Sequence, residues 1–298
     1  MNVNELNQKY GIDGTLAFET GNGELPVAKI SNAFADATIS LYGAHILSFT
    51  PKGQEDALWM SKSSAYKVGT PIRGGIPVCF PWFGPHATDN QKPVHGFARL
   101  ILWNVKETTT LADGSTKLAL QLTDSDYTRN LWNFAFAATV TVIVGKALHI
   151  TLAFSNTGAE TFVCSDALHT YFNISGLENI GITGLQGTSF YVPNAEQTEA
   201  QTEETLLIQK EENRRYIEHT GDCVIADSGL NRKIKVGKTG SKVTVVWNPY
   251  VETAKNIGDI HEGGFNNFIC VEAVNAINDT IQLSPGESWS ISALIEII

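Results

Sequence analysis

Apolar and polar residues alternate with a period of two along much of this chain. The clearest stretch is 134–154. Phe134, Phe136, Ala138, Val140, Val142 and Val144 alternate with Thr139, Thr141 and Ile143, and beyond Gly145-Lys146 the residues Leu148, Ile150, Leu152 and Phe154 alternate with His149, Thr151 and Ser155. Successive side chains of an extended chain point to opposite faces, so this pattern predicts a β-hairpin with one buried face. The same period returns at Leu118, Leu120 and Leu122, at Val243, Val245 and Trp247, and at Trp289, Ile291, Ala293 and Ile295 after a Pro285-Gly286 turn. Helical spacing is confined to short stretches around Asn4 to Tyr10 and Arg129 to Trp132. Strands do not alternate with long amphipathic helices, which argues against a doubly wound sheet or a βα barrel. The expected fold is all-β, a large antiparallel β-sandwich with few short helices. With no fixed-period repeat, low-complexity tract or break in composition, residues 1–298 are expected to form one domain. The Glu/Gln-rich stretch 196–213 reads as a solvated loop or sheet edge.

Composition narrows the function classes. The chain has 298 residues, a formal net charge of -10 and no cluster of Lys and Arg, so nucleic acid is not an expected partner. No basic segment precedes an apolar one at the N-terminus, and no uncharged apolar run approaches the roughly 20 residues of a membrane helix. A cytoplasmic protein is therefore expected, without a membrane partner. Cys79, Cys164, Cys223 and Cys270 are widely spaced and lack CxxC pairing, so buried reduced thiols are expected.

Four segments carry residue types that packing alone does not explain. In the first, Pro71 to Pro85, three prolines after Arg73 (Pro77, Pro81, Pro85) forbid a regular central strand, and Gly74-Gly75 permits close backbone approach. The result is either a rigid loop presenting one cation or a loop plugged into the core by its aromatics. In the second, His95-Gly96-Phe97-Ala98-Arg99, an extended chain would point His95 and Arg99 to one face, where they could meet one ligand; a surface Arg beside a hydrogen-bonded His fits equally. In the third, Ser165 to Asn173, His169 shares a face with Ala167 and Tyr171, and is either a proton donor tuned by its surroundings or a satisfied structural histidine. The fourth, Asn266 to Ala273, is an apolar strand interrupted by Glu272. Burying a carboxylate is costly unless it is paired or protonated, so Glu272 is either a general base or half of a salt bridge to Arg73 or Arg99.

Other chemistries lack support. His45, His86, His149, His219 and His261 form no HxH, HxxxH or HExxH pattern with carboxylates at ligand spacing, so no metal site is expected. GxSxG, GxGxxG and GxxxxGK[ST] are absent. Asp222 and Asp227 read as turn residues.

Taken together, the blocks Tyr42-Gly43-Ala44-His45, Leu58-Trp59, Ile72 to Pro85, His95 to Arg99, Leu168 to Asn173, Trp247-Asn248-Pro249 and Cys270-Val271-Glu272 resemble the hexose-6-phosphate mutarotases, or glucose-6-phosphate 1-epimerases, of the galactose-mutarotase-like superfamily. The resemblance runs from about residue 40 to 275. It implies a β-supersandwich and the cofactor-free interconversion of α and β anomers of an aldohexose 6-phosphate. On the same basis His169 is the acid that protonates the ring oxygen, Glu272 the base for the anomeric hydroxyl, His95 a second sugar contact, and Arg73 and Arg99 the phosphate ligands. The chemistry is consistent, since ring opening needs one acid and one base, and planar guanidinium donors suit a phosphate. One departure stands out. The family often has Asp-Arg followed two residues later by Tyr, where this chain has Asn213-Arg214-Arg215-Tyr216; an Asn can bond a sugar hydroxyl but cannot balance a cation. The expected partner is a small sugar phosphate and the expected state a monomer. A non-catalytic sugar-phosphate binding module, and a mutarotase for an unphosphorylated aldose, remain the competing readings.

Overall fold

The computed structural model describes residues 2–193 and 195–298. Where one face of a strand is buried, the alternation predicted from sequence is directly visible. Phe136–Val144 and Ala147–Asn156 pair antiparallel around Gly145-Lys146, and their buried residues alternate with half-buried ones throughout. They lie inside an eight-stranded antiparallel sheet whose spatial order is Ile180–Thr183, Cys223–Asp227, Arg232–Thr239, Ser288–Ile297, Ala147–Asn156, Phe136–Val144, Thr116–Thr123 and Asn104–Thr110. The C-terminal strand Ser288–Ile297 is thus central, and Ile291, Ala293 and Ile295 are buried while Trp289 is 39% exposed.

A second eight-stranded sheet carries the site. Its order is Glu199–Ala200, Ser189–Tyr191, Glu212–Tyr216, Val243–Asn248, Phe268–Asn275, Asp166–Leu168 and Val78–Cys79, with Tyr171–Asn173 also paired to Phe268–Asn275. Leu168, Val246, Ile269 and Val271 of this sheet share one apolar core with Val140, Leu152 and Ile291 of the first, giving the expected sandwich. An N-terminal four-stranded meander, Leu16–Thr20 to His45–Pro51, and a small pair, Phe162–Cys164 with Ile281–Leu283, complete the strands. Every ladder between these strands is antiparallel.

The helices are short. Val3–Tyr10 starts one residue before the expected stretch because Asn2 and Glu5 form a capping box. The second, Asp126–Leu131, begins three residues earlier than expected, capped by Ser125. A third, Tyr250–Ala254, follows Asn248-Pro249 and was not anticipated. Among the described residues, no helix is long and apolar enough to cross a membrane. All four cysteines are free and buried, as expected. Within 196–213 the edge strand Glu199–Ala200 is exposed, but Gln201 and Glu212 are buried because Arg214 and Tyr216 bond to them. Asp227 does serve a turn: its carboxylate accepts the backbone N–H groups of Gly229 and Leu230, and it also accepts from Ser175.

Candidate active site

Sheet register brings the two proton-transfer candidates together. In Phe268–Asn275 all eight residues are buried, because both faces are covered. Ile269, Val271 and Ala273 face the intersheet core, so Cys270 and Glu272 face the other way. Leu168 pairs with Ala273 and Tyr171 with Cys270. His169 lies at the break between those pairings, one step past Leu168, and its backbone N–H donates to the Pro77 carbonyl at 3.1 Å. Its Nδ1 stands 3.5 Å from Glu272 Oε1. That exceeds the roughly 2.7–2.9 Å of a charge-assisted hydrogen bond. His169 Nδ1 and Glu272 Oε2 are both buried without a hydrogen-bond partner. The imidazole stacks on Tyr171, with centroids 4.8 Å apart and planes 8° from parallel, and meets the Trp247 ring edge-on. The sequence-based placement of His169 on the face of Ala167 and Tyr171 agrees with this. Glu272 forms no salt bridge with Arg73 or Arg99, so that alternative falls away.

Both groups line a cleft of about 280 Å³. A larger cleft, about 780 Å³ beside Glu178 and Lys233, contains neither the histidines nor Glu272. The floor of the smaller one consists of two rows across adjacent strands: Arg215, Val245 and Glu272, then Asn213 and Trp247. Its opposite wall comes from the 71–85 loop and His95. That loop is irregular, as its prolines require, apart from Val78–Cys79. Gly75 has φ +61° and a Cβ there would stand 2.1 Å from the Ile46 carbonyl, so only glycine fits. The loop holds Arg73 at the cleft, where its Nε bonds Asp259 at 3.0 Å and its Nη1 donates to the Tyr171 hydroxyl at 2.7 Å.

The second segment differs from its extended reading. His95 has φ +65°, and Ala98–Leu100 is a single 3-10 turn. The cause is Gly96, which approaches Phe80 so closely that a Cβ would be 2.1 Å from its carbonyl oxygen. Strand parity therefore does not relate His95 to Arg99. The His95 ring lines the cleft, 5.5 Å from that of His169, whereas Arg99 is not among the lining residues; its Nη2 donates to the Val94 carbonyl at 2.8 Å and its Nε is buried and unpartnered. Asn213 lines the cleft with Arg215. Arg215, which shares strand parity with Asn213, and Trp247 line the cleft without being among the expected site residues, and Asp259, also unexpected, holds Arg73.

Electrostatics in the cleft follow from burial. Desolvation pushes the Glu272 carboxyl well above the usual carboxylate range, opposed by Arg215. Desolvation pushes His169 well below the usual imidazole range, reinforced by His95, Arg99 and Arg73. His95 is lowered to about 3 by burial and then by Arg99, Arg73 and Arg215. Because the Gly84 N–H donates to His95 Nδ1 at 3.0 Å, the neutral ring carries its proton on Nε2. Arg73 stays charged: burial opposes this, but Tyr171 and Asp259 outweigh it. His169, Cys270 and Glu272 also place three donor atoms within 4.8 Å of one another, a set that could hold a cation. Burial raises the Cys270 thiol as well as Glu272, and a protonated thiol and carboxyl are poor ligands.

This geometry sits in a chain whose residues 26–296 match the family model described as Aldose 1-epimerase. The chain belongs to the aldose 1-epimerase family. It is an epimerase, with mutarotase activity, that interconverts the anomers of an aldose. An Escherichia coli (strain K12) protein named "Putative glucose-6-phosphate 1-epimerase" is 35% identical over 253 residues, covering 85% of this chain and 84% of that one. A Cenchrus ciliaris protein of the same name is 30% identical over 265 residues, covering 85% and 78%. The crystal structure of a Salmonella typhimurium protein described as a "putative mutarotase" superposes with a TM-score of 0.89 at 29% identity, covering 97% of this chain and 95% of that one. The aldose 1-epimerase family thus accounts for the antiparallel sandwich.

Proposed function

We propose that the cleft interconverts the α and β anomers of a D-hexose 6-phosphate, with Glu272 as base and His169 as acid. Glu272 takes the proton from O1 as His169 gives one to O5; the C1–O5 bond breaks and the C1 carbonyl forms. Rotation about C1–C2 and reclosure, with the proton transfers reversed, yield the other anomer. No external acceptor is needed, because the pair ends each cycle with the protons it began with. The observation that carries this reading is the 3.5 Å approach of His169 Nδ1 to Glu272 Oε1, neither engaged elsewhere, on the wall of a cleft that also holds arginines.

The 6-phosphate falls to Arg73, which lines the cleft, and to Arg99, which must turn from the Val94 carbonyl to reach it, with His95 Nε2–H and Asn213 bonding sugar hydroxyls. At about 1.5 to 3 kcal/mol per charge-assisted bond, two arginines would favour phosphorylated sugar by roughly a hundredfold to ten-thousandfold. A second reading, an unphosphorylated aldose, draws on the Arg73–Asp259 ion pair, which already occupies one of the two cations. Exchange NMR on glucose 6-phosphate and glucose separates the two. A preference for glucose 6-phosphate of a hundredfold or more, reduced about tenfold to a hundredfold in Arg99→Ala, supports the first, and equal rates on both sugars overturn it. Glu272→Gln and His169→Ala should each lose about a hundredfold to ten-thousandfold in kcat. Near-normal anomerisation by both would sink the assigned roles.

A further inference from the structure

The Glu212–Tyr216 strand puts two arginines to opposite uses. Arg214 turns away from the cleft and is fully engaged: Glu212 accepts from it at 2.7 Å, Gln201 at 2.8 Å, and its guanidinium lies 4.7 Å from the centroid of the Phe190 ring. Arg215, one residue on, faces the cleft. Its Nε is buried without a partner, and it takes part in none of the ion pairs among the described residues. Across the sheet it stands in register with Val245, and Val245 with Glu272. Two strand spacings of about 4.8 Å separate the arginine from the glutamate, and the side chain between them is a short valine.

We propose that Arg215 is a positioning residue for proton transfer: reaching over Val245, its uncommitted guanidinium keeps Glu272 available as a carboxylate base. The proposal rests on the assignment of Glu272 as the base. The groups that face Glu272 leave no other candidate. His169 and Tyr171 come from the adjoining segment, Cys270 from the same strand, Cys79 from the strand beyond Asp166–Leu168, and His95 and Arg73 from the loops opposite. Of these only Arg73 is a cation, and it is bound to Asp259 and Tyr171. Burial alone would protonate Glu272, and Arg215 is the charge that opposes this. Asn213 matters for the same reason. A carboxylate two residues away on that face would compete for Arg215, and an amide does not.

The test is the pH profile of kcat/KM for glucose 6-phosphate in Arg215→Gln, Arg215→Lys and Glu272→Gln. Losing a nearby cation raises a carboxyl pKa, so in Arg215→Gln the acid limb should move up by about one unit. Activity on that limb should fall roughly tenfold and recover at alkaline pH. Arg215→Lys should keep the limb near its original position. An equal loss at every pH, or a rise in KM with the limb unmoved, while Glu272→Gln is inactive, overturns the proposal and leaves Glu272 as base. Near-normal activity in Glu272→Gln overturns both.

Discussion

In the proposed mechanism His169 and Glu272 hold one proton between them in either of two distributions, neutral acid with neutral imidazole or carboxylate with imidazolium. Burial favours the neutral pair, and in the proposed mechanism ring opening from the ionised pair ends in it, so the desolvated cleft favours the ring-opened side of the two proton transfers. A phosphate dianion near Arg73 and Arg99 would offset two of the charges that depress His169, making the ionised pair easier to reach with substrate than without it. His95 cannot share this work. Held neutral down to about pH 3, with Gly84 donating to its Nδ1, it offers only a fixed Nε2–H. His95→Asn preserves an acceptor for Gly84 and removes that donor. We expect kcat/KM to fall about tenfold, the worth of roughly one hydrogen bond, with both limbs of the pH profile unmoved. A displaced limb would show that His95 titrates during turnover.

At the scale of elements, the strand bearing Glu272 also meets a second buried acid. Asp166 pairs in register with Asn275, whose Nδ2 lies 3.2 and 3.3 Å from its two carboxylate oxygens, and burial raises Asp166 to about 8 from an ordinary 3.8. Between those values the native protein keeps a proton that the unfolded chain releases. Stability from this group is therefore present at low pH, falls as pH rises to about 8, and is level above that. Asp166→Asn removes the penalty, so its unfolding free energy from urea titration should exceed the parent's by a margin that grows from pH 5 to pH 8, reaching on the order of a few kcal/mol. A margin independent of pH would show that Asp166 is ionised in the fold. These strands also mark how far the sequence could be read. The hairpin at Gly145 was legible because one of its faces is buried and the other is not. Residues 268–275 are buried on both faces, so alternation is hidden and only the charge of Glu272 stands out. The convergence of Glu272 with His169 depends on a register across two strands, which no local pattern encodes. His95 defeated parity because a left-handed residue and Gly96 turn the chain away from extension. The Tyr250–Ala254 helix has five residues, too few for a periodic signal, and Arg215 was hidden beside an Asn already singled out by the family pattern.

Over the whole molecule, a net charge of -10 should repel a phosphosugar, while Arg73, Arg99 and Arg215 should attract it. Distance decides between them. Acidic groups that lie beyond a Debye length, about 10 Å at 0.1 M salt, act on the cleft only weakly, whereas Arg73 and Arg215 line it. At contact the local attraction therefore wins, and added salt weakens mainly that attraction once the diffuse repulsion is already screened. For glucose 6-phosphate, kcat/KM should fall severalfold between about 0.1 and 1 M of a chloride salt, as the Debye length contracts to about 3 Å. Glucose carries no charge and should show no such decline, which makes it the control for salt effects on the fold or on proton transfer. Because kcat at saturating substrate reports the bound complex, it should change less than kcat/KM. Parallel declines for the two sugars would remove the electrostatic contribution, and a rise for the phosphosugar would mean that the acidic surface, rather than the arginines, governs its approach.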